Sequence, residues 1–220
     1  MKRSAESLAV HALKSHLLSG GAVPGQRLTE VALAERLRVS RATVRTALHQ
    51  LTQEGLVRQI PYTGWEVVPL TAHDAWELYT LRSSLEALAA RLAASRRGAE
   101  AERPISEALA RLEHACRATD PSAIAHADFN LHKTIIRIAQ HRRLLEQYTL
   151  IEQQTRLYIQ SSDALIAHPQ EILAQHVPIA EAIVSRRGAL AAKLSEQHNL
   201  DEGEKLVAHL KSKEHPDDET

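Results

Sequence analysis

The chain has 220 residues, 44% of them apolar, and its 27 Lys and Arg are balanced by 27 Asp and Glu. A single cysteine excludes an intrachain disulfide framework and fits a reducing compartment, and no apolar run approaches the roughly eighteen residues of a membrane span. A net charge of zero would argue against a nucleic-acid partner if the charges were evenly spread.

The charges are not evenly spread, and they divide the chain near residue 70. Residues 1–70 hold nine Lys and Arg against five Asp and Glu, a net charge of +4, so the remainder carries −4. A basic first part and an acidic second part predict two units with different partners. We expect a soluble, cytoplasmic protein with domains at 1–70 and 71–210 and a polar tail at 211–220.

Three helices are predicted in the first domain from their caps and their apolar spacing. The first covers residues 4–19 and ends at the segment GGAVPG. The second starts after Thr29 and the third after Ser40, both good N-cap residues, and Gly55 ends the third. The third helix has one apolar face, formed by Val44, Ala47, Leu48 and Leu51.

The third helix also carries a basic stripe opposite its apolar face. Arg41, Arg45 and His49 recur every four residues, and Thr43 lies near the first turn. After Gly55, the segments LVRQI and WEVVP alternate apolar and polar residues around PYTG, which predicts a hairpin. A basic stripe alone is typical of a solvated helix face. Cap, helix, glycine stop and hairpin in this order predict a winged helix-turn-helix that binds DNA.

The second domain is predicted to be all helical. Thr71 and Asp74 are spaced as a capping box for its first helix. That helix has one apolar stripe, formed by Leu78, Leu81, Leu85, Leu88 and Leu92. Further helices are predicted at residues 104–118, 121–140, 142–162, 169–187 and 188–210. The fold class is therefore mainly α, a winged helix-turn-helix followed by an all-α bundle of six to seven helices.

Four polar residues lie on helix faces that are otherwise apolar. In DFNLH, Asp128 and His132 are four residues apart and stack on one face, while His176 and His198 each fall within an apolar stripe. A single such histidine is more often a hydrogen-bonded core residue than a ligand. One carboxylate and three imidazoles from three helices suit a divalent transition metal, with zinc as first choice and nickel or manganese as alternatives. Whether Pro178 turns His176 away is left open.

The first domain resembles a known DNA-binding domain. The segment VPGQRLTEVALAERLRVSRATVRTALHQLTQEGLVRQIPYTGWEVVPL is similar to that of the GntR family of bacterial transcription regulators. The resemblance implies that Arg41 and Arg45 contact bases or phosphates, with Ser40 and Thr43 nearby. It also implies that Gly64 lies at the wing tip and reaches the minor groove.

The second domain resembles the FCD effector domain of the FadR-type branch of the same family, in its metal-containing version. The segments DAWELYTLRSSLEALAARLAA and DFNLH carry this resemblance. It implies a metal held by Asp128, His132, His176 and His198. It also implies that Arg82, and less directly Arg156, binds the carboxylate of an effector. The structural alternative for Arg82 is a salt bridge to Glu86, one turn further on.

Together these features predict a ligand-responsive transcription repressor. A short recognition helix reads few bases, so we expect a homodimer on a palindromic operator in double-stranded DNA. The resemblance implies that a small organic acid changes operator affinity. One alternative is a regulator whose metal is structural or sensed, with no organic effector. Another is a metal-dependent hydrolase, which is disfavoured because HExxH, P-loop and nucleophile-elbow motifs are absent; we expect no enzyme.

Overall fold

The computed structural model describes residues 4–18, 21–96 and 98–214, and the chain divides into two compact units after Leu70. The first unit contains α1 (Ala5–Leu18), β1 (Arg27–Leu28), α2 (Glu30–Leu37), α3 (Arg41–Gln53), β2 (Val57–Ile60) and β3 (Gly64–Val67). The second contains α4 (Ala72–Ala93), α5 (Ala99–Ala118), α6 (Pro121–Ile138), α7 (Arg142–Asp163), α8 (Pro169–Val184) and α9 (Gly188–Glu214). The predicted mainly α fold is confirmed, with six helices in the described part of the second unit.

The first unit is built around the buried face of α3. Val44, Ala47, Leu48 and Leu51 are fully buried, as predicted. The hydroxyl groups of Thr29 and Ser40 accept hydrogen bonds from the first turns of α2 and α3, which confirms both caps. The antiparallel sheet has the order β1-β3-β2. Its strand β1 was not predicted, because two residues are too short to show an alternating pattern.

The second unit begins at the predicted cap. The Thr71 hydroxyl oxygen accepts a hydrogen bond from the backbone N–H of Asp74 at 3.0 Å, and the same hydroxyl donates to the Asp74 carboxylate at 2.7 Å. The leucine stripe does not describe the orientation of α4, because Leu81 and Leu88 are 46% and 40% exposed. The inward face of α4 instead carries small residues and a charged pair: Ala75, Arg82, Glu86, Ala89 and Ala93.

Helix boundaries differ from the prediction at several ends. The helix α5 begins at Ala99 and includes Pro104, the residue at which we expected it to start. At α7, His141 is the N-cap, and its Nδ1 accepts from the backbone N–H of Leu144. The helix α9 continues to Glu214, into the predicted polar tail, and residues 215–220 of that tail lie outside the described residues. Within the described ranges, no helix is long and apolar enough to cross a membrane.

Candidate DNA-binding surface and metal centre

The predicted DNA-binding side chains lie on the first turns of α3. The side chains of Arg41 and Arg45 are 63% and 55% exposed. Ser40 and Thr43 bond to each other, since the Ser40 hydroxyl oxygen accepts from the Thr43 N–H and lies 2.9 Å from the Thr43 hydroxyl. The two hydroxyl groups therefore order the start of α3, and the two arginines are its accessible cations.

The carboxylate of Glu30, which was not predicted as part of this surface, forms ion pairs with both arginines. The Glu30 carboxylate accepts two hydrogen bonds from Arg45, at 2.8 and 2.7 Å, and lies 3.6 Å from Arg41. It also accepts from the indole of Trp65, whose ring packs against His49. The hydrogen bonds from Arg45 hold the pKa of Glu30 at about 2. Glu30 thus joins α2, α3 and β3. An acid in the first turn of a helix is too common to reveal this role from sequence.

The wing tip lies slightly before the predicted position. Gly64 is the first residue of β3, and its φ of 113° is disfavoured for residues with a side chain. A Cβ on Gly64 would lie 3.4 Å from the carbonyl oxygen of Leu28. The turn before it exposes the whole side chain of Tyr62. Gly64 therefore allows β1 to approach β3, and Tyr62 is the residue most exposed at the tip.

The three predicted histidines meet in the second unit, next to Asp128. The possible ligand atoms of His132, His176 and His198 all lie within 4.8 Å of one another. Asp128 Oδ1 lies 2.7 Å from His176 Nε2 and 3.2 Å from His132 Nε2, and these two nitrogens are 3.1 Å apart. The helices α6, α8 and α9 therefore direct four candidate ligands to one place. Pro178 does not turn His176 away from it.

Neighbouring acceptors fix which ring nitrogens carry protons. The Nδ1 atom of His176 donates to the carbonyl oxygen of Ile172 at 2.7 Å. The Nδ1 atom of His132 lies 2.7 Å from Glu86 Oε2, a separation that requires a proton between nitrogen and carboxylate. When these rings are neutral, Nε2 carries a lone pair, which is the form that binds a metal.

The centre of the cluster requires a positive charge, which either a proton or a metal ion can supply. Asp128 is 3% exposed, and its buried Oδ1 lies 2.7 Å from His176 Nε2 and 3.2 Å from His132 Nε2. Oδ1 and the two Nε2 atoms are three acceptors within about 3 Å, which repel each other unless a cation or an additional proton lies between them. Burial opposes ionisation of Asp128, but His176 and His132 hold its pKa well below the usual range. The donor set fits a divalent metal.

The fourth candidate, His198, lies at the edge of the cluster. It is only partly buried and lines a cavity of about 210 Å³ between α8 and α9. Polar residues of α9 surround this opening, among them Gln197, Asp201, Glu202 and Lys205. Burial and the neighbouring His176 and His132 lower the pKa of His198 well below its usual value. A neutral His198 therefore faces the metal-binding atoms on one side and an opening on the other.

The predicted effector residue Arg82 lies deep in the same unit. It is 1% exposed, and its Nε donates to Glu86 Oε1 at 3.1 Å, so the predicted alternative salt bridge is present. Its Nη atoms donate no hydrogen bond to any described residue. Burial opposes the charge of Glu86, but Arg82 and His132 hold its pKa far below the usual value. The guanidinium keeps two free donors beside its ion pair.

Arg156 is not brought into this cluster. Its guanidinium stacks on the ring of Phe129, 4.3 Å from the centroid, and its Nε lies 3.9 Å from Glu152. The structure gives it no contact with any of the four candidate ligands within the described ranges. The residues that sequence reasoning left out are Tyr148 and Asn199, which both donate to the Glu86 carboxylate.

This fold and these sites define a DNA-binding transcription regulator with a helical sensor domain. The model of bacterial regulatory proteins of the gntR family matches residues 6–67, and that of the FCD domain matches residues 77–201. The chain therefore belongs to the GntR family of bacterial transcription regulators, in the branch that carries an FCD domain. This membership confirms a regulator and not an enzyme.

Individual relatives agree with this assignment. The chain is 30% identical to the Nta operon transcriptional regulator of Aminobacter aminovorans, over 68% of this chain and 71% of the relative. It is 28% identical to the probable D-xylose utilization operon transcriptional repressor of Paenarthrobacter nicotinovorans, over 82% and 80%. Its fold matches the crystal structure of a putative GntR regulator from Rhodococcus sp. RHA1 with a TM-score of 0.81. That match has 23% identity and covers 94% and 99% of the two chains.

Proposed function

We propose that the protein is a repressor that binds a palindromic operator as a homodimer and responds to a small carboxylic acid. Relatives of the chain are named repressors. Two copies of the α3 surface would read two half-sites about one helical turn apart. The protein acts in the bacterial cytoplasm, where operator DNA lies. The DNA contacts are Arg41 and Arg45, ordered by Ser40 and Thr43, with the wing at Gly64.

We further propose that the FCD unit holds a divalent transition metal, with zinc as first choice and nickel or manganese as alternatives. Asp128, His132, His176 and His198 would bind it. The observation that carries this proposal is the buried Asp128 Oδ1 at 2.7 and 3.2 Å from the Nε2 atoms of His176 and His132, three potential ligand atoms from two helices. A bound metal would replace the proton as the positive charge between these atoms and would offer a coordination position for an acid.

The effector is a small organic acid whose carboxylate reaches Arg82. Two free Nη donors on a planar guanidinium match the two oxygens of a carboxylate. An acid that binds one conformation of the regulator better than another shifts operator affinity by that difference in binding free energy. Arg156 stacks on Phe129, the residue next to Asp128 in the sequence, and we propose it as a secondary contact for the acid.

A second candidate is a regulator whose metal is structural or sensed, without an organic effector. The buried ion pair of Arg82 with Glu86 favours it, because the pair by itself accounts for an arginine in the core. In that case, acids would leave operator binding unchanged while removal of the metal would alter it.

The first test measures metal content by plasma mass spectrometry in wild type and in His132→Ala and His176→Ala. His114→Ala is the matched control, because His114 is exposed on α5. We expect nearly one metal per chain in wild type and His114→Ala, and little in the other two variants. Wild-type protein without metal, and unable to take it up, would exclude the metal centre.

The second test uses operator DNA selected from random duplexes with the wild-type protein. Carboxylic acids are screened for release of this DNA, and the corresponding amides serve as controls. Arg82→Lys keeps the charge beside Glu86 but loses the planar pair of donors. An acid that releases operator DNA equally well from wild type and from Arg82→Lys would exclude the proposed role of Arg82.

A further inference from the structure

The carboxylate of Glu86 connects four helices at the edge of the candidate metal centre. Its Oε1 accepts from Arg82 Nε at 3.1 Å and from the Tyr148 hydroxyl at 3.0 Å. Its Oε2 accepts from Asn199 Nδ2 at 2.9 Å and lies 2.7 Å from His132 Nδ1. We infer that Glu86 is the positioning residue of the metal centre, fixing the ring and the tautomer of His132. This inference rests on the proposed metal site.

Four partners leave the Glu86 carboxylate little freedom to move. An ionised carboxylate offers about four acceptor positions, and here four donor groups approach them. Arg82, Tyr148 and Asn199 come from α4, α7 and α9, so three helices determine where the carboxylate lies. Glu86 is 2% exposed, which keeps water from competing for its oxygens. The acceptor that faces His132 is therefore placed before any metal binds.

The position of the Glu86 carboxylate decides which nitrogen of His132 is available to bind a metal. A proton shared with Glu86 resides on Nδ1, so in the neutral ring Nε2 faces Asp128 and His176 with its lone pair. A negative acceptor behind the ring also makes that lone pair more basic, which strengthens its bond to a metal. Behind His176, the Nδ1 atom instead donates to the neutral carbonyl oxygen of Ile172. The effect of Glu86 is thus specific to one of the ligands.

The test measures Zn²⁺ affinity by competition with a chromophoric chelator. We expect Glu86→Gln to bind Zn²⁺ about 10- to 100-fold more weakly than wild type. Tyr148→Phe is the matched control, because it removes another hydrogen bond to the same carboxylate and leaves His132 its acceptor. Its affinity should stay within about threefold of wild type, since loss of one neutral hydrogen bond is a small perturbation. Equal Zn²⁺ affinity in Glu86→Gln and wild type overturns the inference.

A second measurement uses the wild-type protein, because Glu86→Gln leaves a buried Arg82 without its counter-charge and the variant need not fold. In ¹⁵N-histidine NMR of the Zn²⁺-loaded protein, we expect His132 to carry a proton on Nδ1 and metal on Nε2. Metal on Nδ1 overturns the inference. Wild type that binds no Zn²⁺ overturns both this inference and the metal site. If wild type binds Zn²⁺ and Glu86→Gln binds it equally well, the inference about Glu86 is overturned but the metal site is not.

Discussion

Glu30 and Arg45 form a two-point ion pair in which Arg45 Nε and Nη2 each donate to one carboxylate oxygen. The pair joins α2 to the exposed face of α3, and its two residues are 15 positions apart in sequence. It orients a guanidinium that would otherwise sample many rotamers, and it places a negative charge beside the cations that we propose contact DNA. Glu30 should therefore favour specific over non-specific binding.

We expect Glu30→Gln to lower the ratio of operator affinity to unrelated-duplex affinity about tenfold, because Arg45 loses its charged partner. Binding to unrelated duplex should strengthen, and its salt dependence should steepen by about one unit in the log–log slope, since one opposing charge is gone. Fluorescence anisotropy at several salt concentrations measures both. Glu35→Gln is the control, an equal charge change at an exposed position of the same helix. An equal fall of the ratio in both variants would show that charge alone matters.

Both the charge and the planar shape of the Arg45 side chain should contribute to operator affinity. Arg45→Lys keeps the charge but not the planar fork, so operator affinity should fall about tenfold while unrelated-duplex binding persists. Arg45→Ala should weaken both, with a salt slope smaller by about one. The same titrations measure these effects. If Arg45→Lys binds operator like wild type, Arg45 contacts only phosphate.

Metal-free protein should lose stability as the pH rises from 6.5 to 9. Burial lowers the pKa of His132, but the Glu86 and Asp128 carboxylates raise it overall to about 9, from 6.5 in an unfolded chain. A raised pKa stabilises the fold fully below pH 6.5, and this contribution disappears as the pH passes 9. The loss is on the order of 3 kcal/mol.

Urea unfolding midpoints in the presence of a chelator measure this loss. Zn²⁺-loaded protein is the control, and its midpoint should change less across the same range, because the metal replaces the proton as the positive charge. A flat midpoint in metal-free protein would contradict the assignment of the raised pKa to His132.

Gly203→Ala should destabilise the second unit although alanine is the better helix former. A Cβ at Gly203 would lie 2.6 Å from the Cβ of Tyr79, across the packed helices α9 and α4. Separating the helices costs about 1 to 3 kcal/mol, more than the roughly 1 kcal/mol that helix propensity contributes. The thermal unfolding midpoint shows whether the variant is less or more stable than wild type. A higher midpoint in the variant would mean that the helices move apart without cost.

Local chemistry made much of this protein predictable from sequence. The caps Thr29, Ser40 and Thr71 act within one turn, so the residues themselves determine where these helices begin. The buried histidine His176 was found because an apolar stripe surrounds it. The strand β1 and the end of α9 were missed, since a two-residue strand and a polar helix end leave little periodicity.

The sequence by itself determined the two units, their helices and the four candidate ligands. Only the tertiary structure decided which charges are buried. In the predicted leucine stripe of α4, Leu78 is buried but Leu81 and Leu88 are exposed, because periodicity ranks residues only by their own hydrophobicity. A buried carboxylate is stable only when donors from distant segments surround it, as Tyr148 and Asn199 surround Glu86. Such partners are separated by many residues along the chain, and packing of the helices brings them together.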